Sequence, residues 1–152
     1  MAAPDEQFLR LAINLARQAR QRGIEPFGAV LVAENTVVHQ AIEGRVELSD
    51  PTCHAELRVI SEYCRAQRRL SLKGYTLYAS TAPCPMCAGA IHWARLTRVV
   101  FSVSQAMLQR FSGGSPKPGC ASIINTRVPQ TEVVGPLLSE EGLAVFEGYE
   151  FA

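Results

Sequence analysis

Residues Tyr75 to Ser102, YTLYASTAPCPMCAGAIHWARLTRVVFS, carry the pattern that decides the fold. Tyr75 to Ser80 is rich in β-branched and aromatic residues and follows the breaker Lys73-Gly74, so it reads as a strand. Pro83 and Pro85 bracket the start of a helix that runs to about Arg95. Pro85 takes an early helical position, where a missing N–H costs nothing. Thr97 to Ser102 is a second strand. Strand, helix and strand therefore follow one another with short connections.

The same alternation extends outward. Upstream, Cys53, Leu57, Ile60 and Cys64 line one face of a helix that ends in the basic, exposed run Arg65 to Arg69. Before it, Arg45 to Thr52 reads as a polar loop. Ala29 to Val32 and Thr36 to Ile42 are strands joined across Glu34-Asn35, a hairpin. Phe8, Leu11, Ala12, Leu15, Ala16 and Ala19 recur at helical spacing, giving a first helix from about Asp5 to Arg22. Gly23 stops it, with Pro26 just beyond. Downstream come a short helix at Gln105 to Phe111, a Gly/Pro-rich surface loop at Gly113 to Gly119, a strand at Thr131 to Val134 and a closing helix at Ser139 to Tyr149. The expectation is an α/β protein: one domain over residues 1–152, in three α/β/α layers around a central mixed five-stranded sheet.

Composition bounds the partners. A chain of 152 residues, 47% hydrophobic and 19% charged, is large enough for a real core and too apolar for wholesale disorder. Its net charge of +1 provides no long-range attraction for phosphate backbones or anionic membranes, which argues against nucleic acid as partner. No run approaches the roughly 18 apolar residues of a membrane span. Asp5 and Glu6 make the N-terminus unlike a secretory or transit signal. Five cysteines, an odd number in a chain too large to need disulfide staples, fit reduced thiols and a cytoplasmic setting.

Two segments carry chemistry: Cys53-His54-Ala55-Glu56 and Pro83-Cys84-Pro85-Met86-Cys87. Each falls at an expected helix N-terminus, where the dipole favours thiolates. Cys84 and Cys87, three apart, put both sulfurs on one side of a helical turn. With His54 they make three ligands, the number a catalytic zinc uses while keeping a fourth position for water. Glu56 beside that position is a natural proton shuttle. Two other readings stay open on the residues alone. One is a redox dithiol; the other is a closed structural zinc site with Cys53 or Cys120 as fourth ligand.

His54-Ala55-Glu56, followed after 26 intervening residues by Pro83-Cys84-Pro85-Met86-Cys87, resembles the signature of the cytidine/deoxycytidylate deaminase superfamily. Asp50-Pro51-Thr52 ahead of the histidine supports the likeness. So do Pro26-Phe27 and Trp93-Ala94-Arg95, which are similar to the bacterial guanine deaminase branch of free-nucleobase deaminases. The resemblance implies one zinc per chain on His54, Cys84 and Cys87, with Glu56 as the catalytic acid–base. It implies that Phe27 and Trp93 stack on a planar base, that the Ala55 backbone amide holds its edge, and that the chain forms a homodimer. The expected activity is hydrolytic release of ammonia from a free nucleobase or base analogue: a guanine-like aminopurine, a pyrimidine or a triazine. A tRNA adenosine deaminase and a non-catalytic zinc-stabilised module are the alternatives.

Three departures from that branch point away from guanine itself. Ala82 stands where glutamate precedes the proline, Arg45 to Ser49 lacks the expected substrate-contacting asparagine, and Gly113 to Cys120 replaces an acidic motif. The plain readings of the remaining candidates are structural. Cys53 and Cys64 suit small buried positions on a helix face, and His92 suits a structural contact.

Overall fold

The structure, a computed structural model, describes residues 3–115, 117–126 and 130–151. Strand β1 (Gly28–Ala33) pairs antiparallel with β2 (Thr36–Ile42) across a two-residue turn. Glu34 and Asn35 in that turn have φ of 48° and 61°, the paired left-handed geometry whose twist matches a hairpin. On its other edge β1 pairs antiparallel with β3 (Thr76–Thr81). From there β3 pairs parallel with β4 (Arg98–Val103), and β4 parallel with β5 (Glu132–Val134). The sheet order is β2-β1-β3-β4-β5, so the expected mixed five-stranded sheet is present.

Strand residues alternate between two cores. Ala29, Leu31, Leu77, Ala79, Val99 and Phe101 face helices α3 (Ala55–Gln67), α4 (Pro85–Ala94) and α6 (Cys120–Ile124). Val30, Val32, Tyr78 and Val100 face α1 (Ala3–Gln21), and α7 (Ser139–Ala144) packs beside it against β4. The α1 stripe needs close approach at one point. A Cβ on Gly28 would lie 2.6 Å from both the Ala12 carbonyl oxygen and the Leu15 Cβ, so β1 begins with the one residue that fits beneath the helix.

Four local expectations are corrected. The loop expected at Arg45 to Thr52 contains one helical turn, α2 (Arg45–Leu48), too short to leave a periodic signature. α3 begins at Ala55, leaving Cys53 ahead of it, buried beside Gly44. The Gly/Pro-rich stretch, of which Pro116 lies outside the described residues, follows α5 (Gln105–Ser112) and leads into the unforeseen α6. The closing helix stops at Ala144, and Gly148, at φ 72°, turns the chain back so that Tyr149 and Phe151 pack on Phe146. Among the described residues no helix is long and apolar enough to cross a membrane.

One buried ion pair ties α1 to the sheet. The Arg98 guanidinium donates to both Asp5 carboxylate oxygens at 2.6 and 2.7 Å, and the Tyr78 hydroxyl donates to Oδ1 at 2.7 Å. The Arg98 hydrogen bonds hold the Asp5 carboxyl below its usual range, against the opposing effect of burial. A depressed folded-state pKa adds stability that is present above the unfolded value and lost as pH falls through the folded one. We expect Asp5→Asn to cost about 1–3 kcal/mol at pH 7, since it removes the charge-assisted hydrogen bonds to a part-buried Arg98 that then keeps only the exposed Glu132. It should also flatten the acid limb of stability below about pH 4. Urea unfolding across pH checks both; unchanged stability would show that the pair contributes nothing net.

Candidate metal centre and catalytic cavity

His54 is placed by the turn that precedes it. The Asp50 carboxylate accepts from the Thr52 N–H at 2.9 Å and from its hydroxyl at 2.7 Å, and the His54 N–H donates to the Thr52 carbonyl at 2.8 Å. That leaves His54 as the extended residue capping α3, with Glu56 in the first turn. Cys84 caps α4 in the same way, with Pro85 at the first helical position and Cys87 one turn in. Neither His54 nor Cys84 makes a side-chain cap hydrogen bond, so the imidazole and the thiol can face a shared point. α3 and α4 pack side by side, and their N-terminal ends meet there.

At that point the His54 Nδ1 lies 3.4 Å from the Cys84 Sγ and 3.7 Å from the Cys87 Sγ, and all three donor atoms are within 4.8 Å of one another. Tetrahedral zinc with ordinary bond lengths sets its N and S ligands about 3.6 Å apart, so the spacing fits a single ion. Among the described residues the cluster has three members, and neither Cys53 nor Cys120 joins it as a fourth. A closed structural site is therefore disfavoured, because three protein ligands leave a coordination position open. All five cysteines are free thiols.

The electrostatics favour a thiolate at Cys84. The Cys84 thiol is drawn down to about 4, chiefly by accepting a hydrogen bond from Cys87, while burial opposes and His54 assists. Cys87, sharing a proton with that thiolate, is pushed up, and the Cys84 hydrogen bond raises His54. Burial lifts the Glu56 carboxyl to about 7, with His54 opposing and the Cys84 thiolate reinforcing. Cys120 is buried and its thiol pushed up by desolvation, so it is no activated nucleophile.

A cavity of about 230 Å³ opens over His54, Glu56 and Cys84. Phe27, Leu108 and Phe151 give it apolar walls; Thr81 and Gln105 supply polar groups. Arg45 stands at its edge, ion-paired with Glu25 and bonded through Nε to Glu43 at 3.1 Å. Gly44 makes this edge possible, since a Cβ there would lie 2.7 Å from Arg58 Nη1 and 2.9 Å from the Cys53 Sγ. Phe151 reaches the cavity from the chain's own C-terminal segment, stacked on Phe146 at a centroid distance of 5.9 Å.

The fold thus brings together His54, Glu56, Cys84 and Phe27. Ala55 is buried in the core beneath them, so what it offers is its backbone amide in the first turn of α3. Trp93 is not brought there. It is 77% exposed near the far end of α4, about 13 Å along the helix from Cys84, beside Leu70 and Arg95 in a separate groove. His92, its neighbour, joins α4 to α6, its Nδ1 lying 3.0 Å from the Ile124 carbonyl. Sequence reasoning missed Glu43, Thr81 and Phe151. The aromatic recurrence Phe146, Tyr149, Phe151 was a signal for the last of these, and no local pattern marked the other two.

The family described as "Cytidine and deoxycytidylate deaminase zinc-binding region" matches residues 2–103. The chain belongs to this family. It is 36% identical to a probable cytosine deaminase of Schizosaccharomyces pombe, covering 98% of this chain and 94% of that protein. It is also 36% identical to the tRNA-specific adenosine deaminase of Bacillus subtilis, over 90% of this chain and 83% of that one. The X-ray structure of guanine deaminase from Bacillus subtilis superposes with a TM-score of 0.68 at 29% identity, covering 98% of this chain and 94% of that one. The chain's membership and its donor set agree on one zinc ion per chain.

Metal analysis should accordingly find about one zinc per chain. Cys87→Ala should lose it, because two remaining ligands do not hold a structural or catalytic ion. Full zinc retention by that variant would remove His54, Cys84 and Cys87 as the ligand set.

Proposed function

We propose that this chain deaminates a free amino-substituted heterocycle, a nucleobase or base analogue, by hydrolysis. The observation that carries the reading is the cavity. At about 230 Å³ it is smaller than the roughly 300–1,000 Å³ of sites for drug-sized ligands, which suits one flat ring system with little attached to it. Phe27 and Phe151 supply faces for such a ring, and Phe151 takes the part expected of Trp93.

Zinc, when bound by His54, Cys84 and Cys87, supplies Lewis acidity toward a water in the open position. Glu56 does the proton work. Its carboxylate takes one proton from the attacking water as the oxygen adds to the amine-bearing ring carbon, and passes it to the adjacent ring nitrogen. It then moves the second proton from that oxygen to the exocyclic amine. The C–N bond breaks, a ring carbonyl forms, and ammonia leaves. The burial of Glu56 and the apolar walls exclude other water from these transfers. The Ala55 N–H, among the amides of the first turn of α3 that have no partner within the helix, would hold the ring's edge.

A second reading, a tRNA adenosine deaminase, is favoured by the Bacillus subtilis relative, and the experiment separates the two. Ammonia release is followed for the zinc-loaded protein against free bases, nucleosides and a tRNA anticodon stem-loop. We expect turnover of at least one free base, with a KM almost unchanged between low and physiological salt, because an uncharged ligand releases no counterions. Phe151→Ala should raise that KM. Glu56→Gln should stay folded and zinc-loaded while turnover falls by roughly two to four orders of magnitude. Inosine formation in the stem-loop, with no turnover across the free bases, would assign the chain to the tRNA reading instead.

A further inference from the structure

Among the described residues, one buried side-chain polar atom has no hydrogen-bond partner, and it belongs to a residue of the cavity wall. It is the hydroxyl of Thr81, a residue only 4% exposed. A buried hydroxyl without a partner costs stability, and native proteins tolerate few of them. Valine has nearly the same shape and would fill the position beside Val103, its partner in β4, without that penalty. The hydroxyl therefore needs a reason in something that enters the cavity.

Its surroundings hold it still. Thr81 ends β3 and pairs in register with Val103 of β4. The next residue is fixed on both sides: the Ala82 N–H donates to the Val103 carbonyl at 2.7 Å, and the Ala82 carbonyl accepts from the Gln105 side chain at 2.5 Å. The preceding hydroxyl, on Ser80, is already used, accepting from the Gly28 N–H at 3.0 Å. Thr81 thus presents an unused donor and acceptor from a rigid strand end. A contact preorganised in this way serves discrimination better than one on a loop. Cys84 lies three positions further on, at most about 11 Å of chain, the scale of one ring and its hydrogen bonds.

We infer that the Thr81 hydroxyl is a specificity-determining contact for a polar substituent, a carbonyl oxygen or second amine, on the heterocycle whose amine is removed. The inference rests on reading this cavity as the substrate site. A hydroxyl both donates and accepts, so it serves either substituent, and a ring bearing only C–H at that position leaves it unpaired. Sites that hydrogen-bond a substrate group reject analogues lacking it far more strongly than apolar pockets reject a missing methylene.

Thr81→Val and Thr81→Ser in the zinc-loaded full chain test this. In the absence of substrate the valine variant should unfold at the same temperature as wild type or higher, and keep one zinc. Its kcat/KM on the best substrate should fall roughly tenfold or more, and its preference over the analogue with hydrogen at the polar position should collapse. Serine should restore most of both. A valine variant within about twofold of wild-type efficiency overturns the inference. So does one whose Tm falls by more than about 4 °C, because the hydroxyl would then be bonded in the resting fold. Wild-type turnover confined to the anticodon stem-loop would overturn the free-base reading separately. The same variants would then be compared on that stem-loop, where equal efficiency of the valine variant still overturns the inference.

Discussion

Everything at the site depends on two helices that reach one point by different routes. The His54 imidazole lies 3.4 and 3.7 Å from two thiols only if α3, which follows the β1–β2 hairpin, and α4, which follows β3, begin together. β1 and β3 are neighbours in the sheet, so their helices share one face and one core. Val59 and Ile60 of α3 and Ala88 and Ile91 of α4 pack in that core and fix how far each helix is advanced. A shift of one residue along α4 moves Cys87 by about 1.5 Å and turns it by about 100°, enough to break the triad. The hydrophobic core is in this sense the instrument that holds the donor spacing.

Much of this was legible in the sequence because it is local. A strand, a breaker, a proline-led helix and a Cys-x-x-Cys spacing each occupy a few consecutive residues, and the strands and most helices fall within a few residues of their expected bounds. Trp93 shows where locality fails. Helix α4 is apolar almost all round, so hydrophobicity alone did not say which face meets the sheet. The buried set, Cys87, Ala88, Ile91 and Ala94, defines that face, and Trp93 lies off it. The spacing from Cys87 to Ile91 to Ala94 held that answer once Cys87 was taken as a ligand. Thr81 and Phe151 were different. Their importance lies in what surrounds them, and long-range contacts leave no period in the chain.

The cavity follows the same logic of distant parts. Phe27 stands just ahead of β1 and Phe151 near the opposite end of the chain, yet both line one space, joined through Phe146 behind them. Phe146 is only 1% exposed and packs between α1 and the sheet, so the aromatic wall is anchored in the second core while the metal ligands belong to the first. The cavity thus lies where the two cores meet at the sheet's end, and both layers hold its shape.

The cavity edge carries the sharpest chemical departure. Where resemblance led to an expected asparagine in the segment before Asp50, the structure puts Glu43 and Arg45 against the cavity. An asparagine offers a donor and an acceptor from one amide, whereas a carboxylate only accepts and a guanidinium only donates. Glu43 and Arg45 divide the two roles between them, and they are bonded to each other. The Glu43 Oε1 accepts from the Arg45 backbone N–H at 2.5 Å and from its Nε at 3.1 Å. Arg45 also pairs with Glu25, so one cation is shared by two carboxylates, while Lys117 brings a second cation to the same cavity.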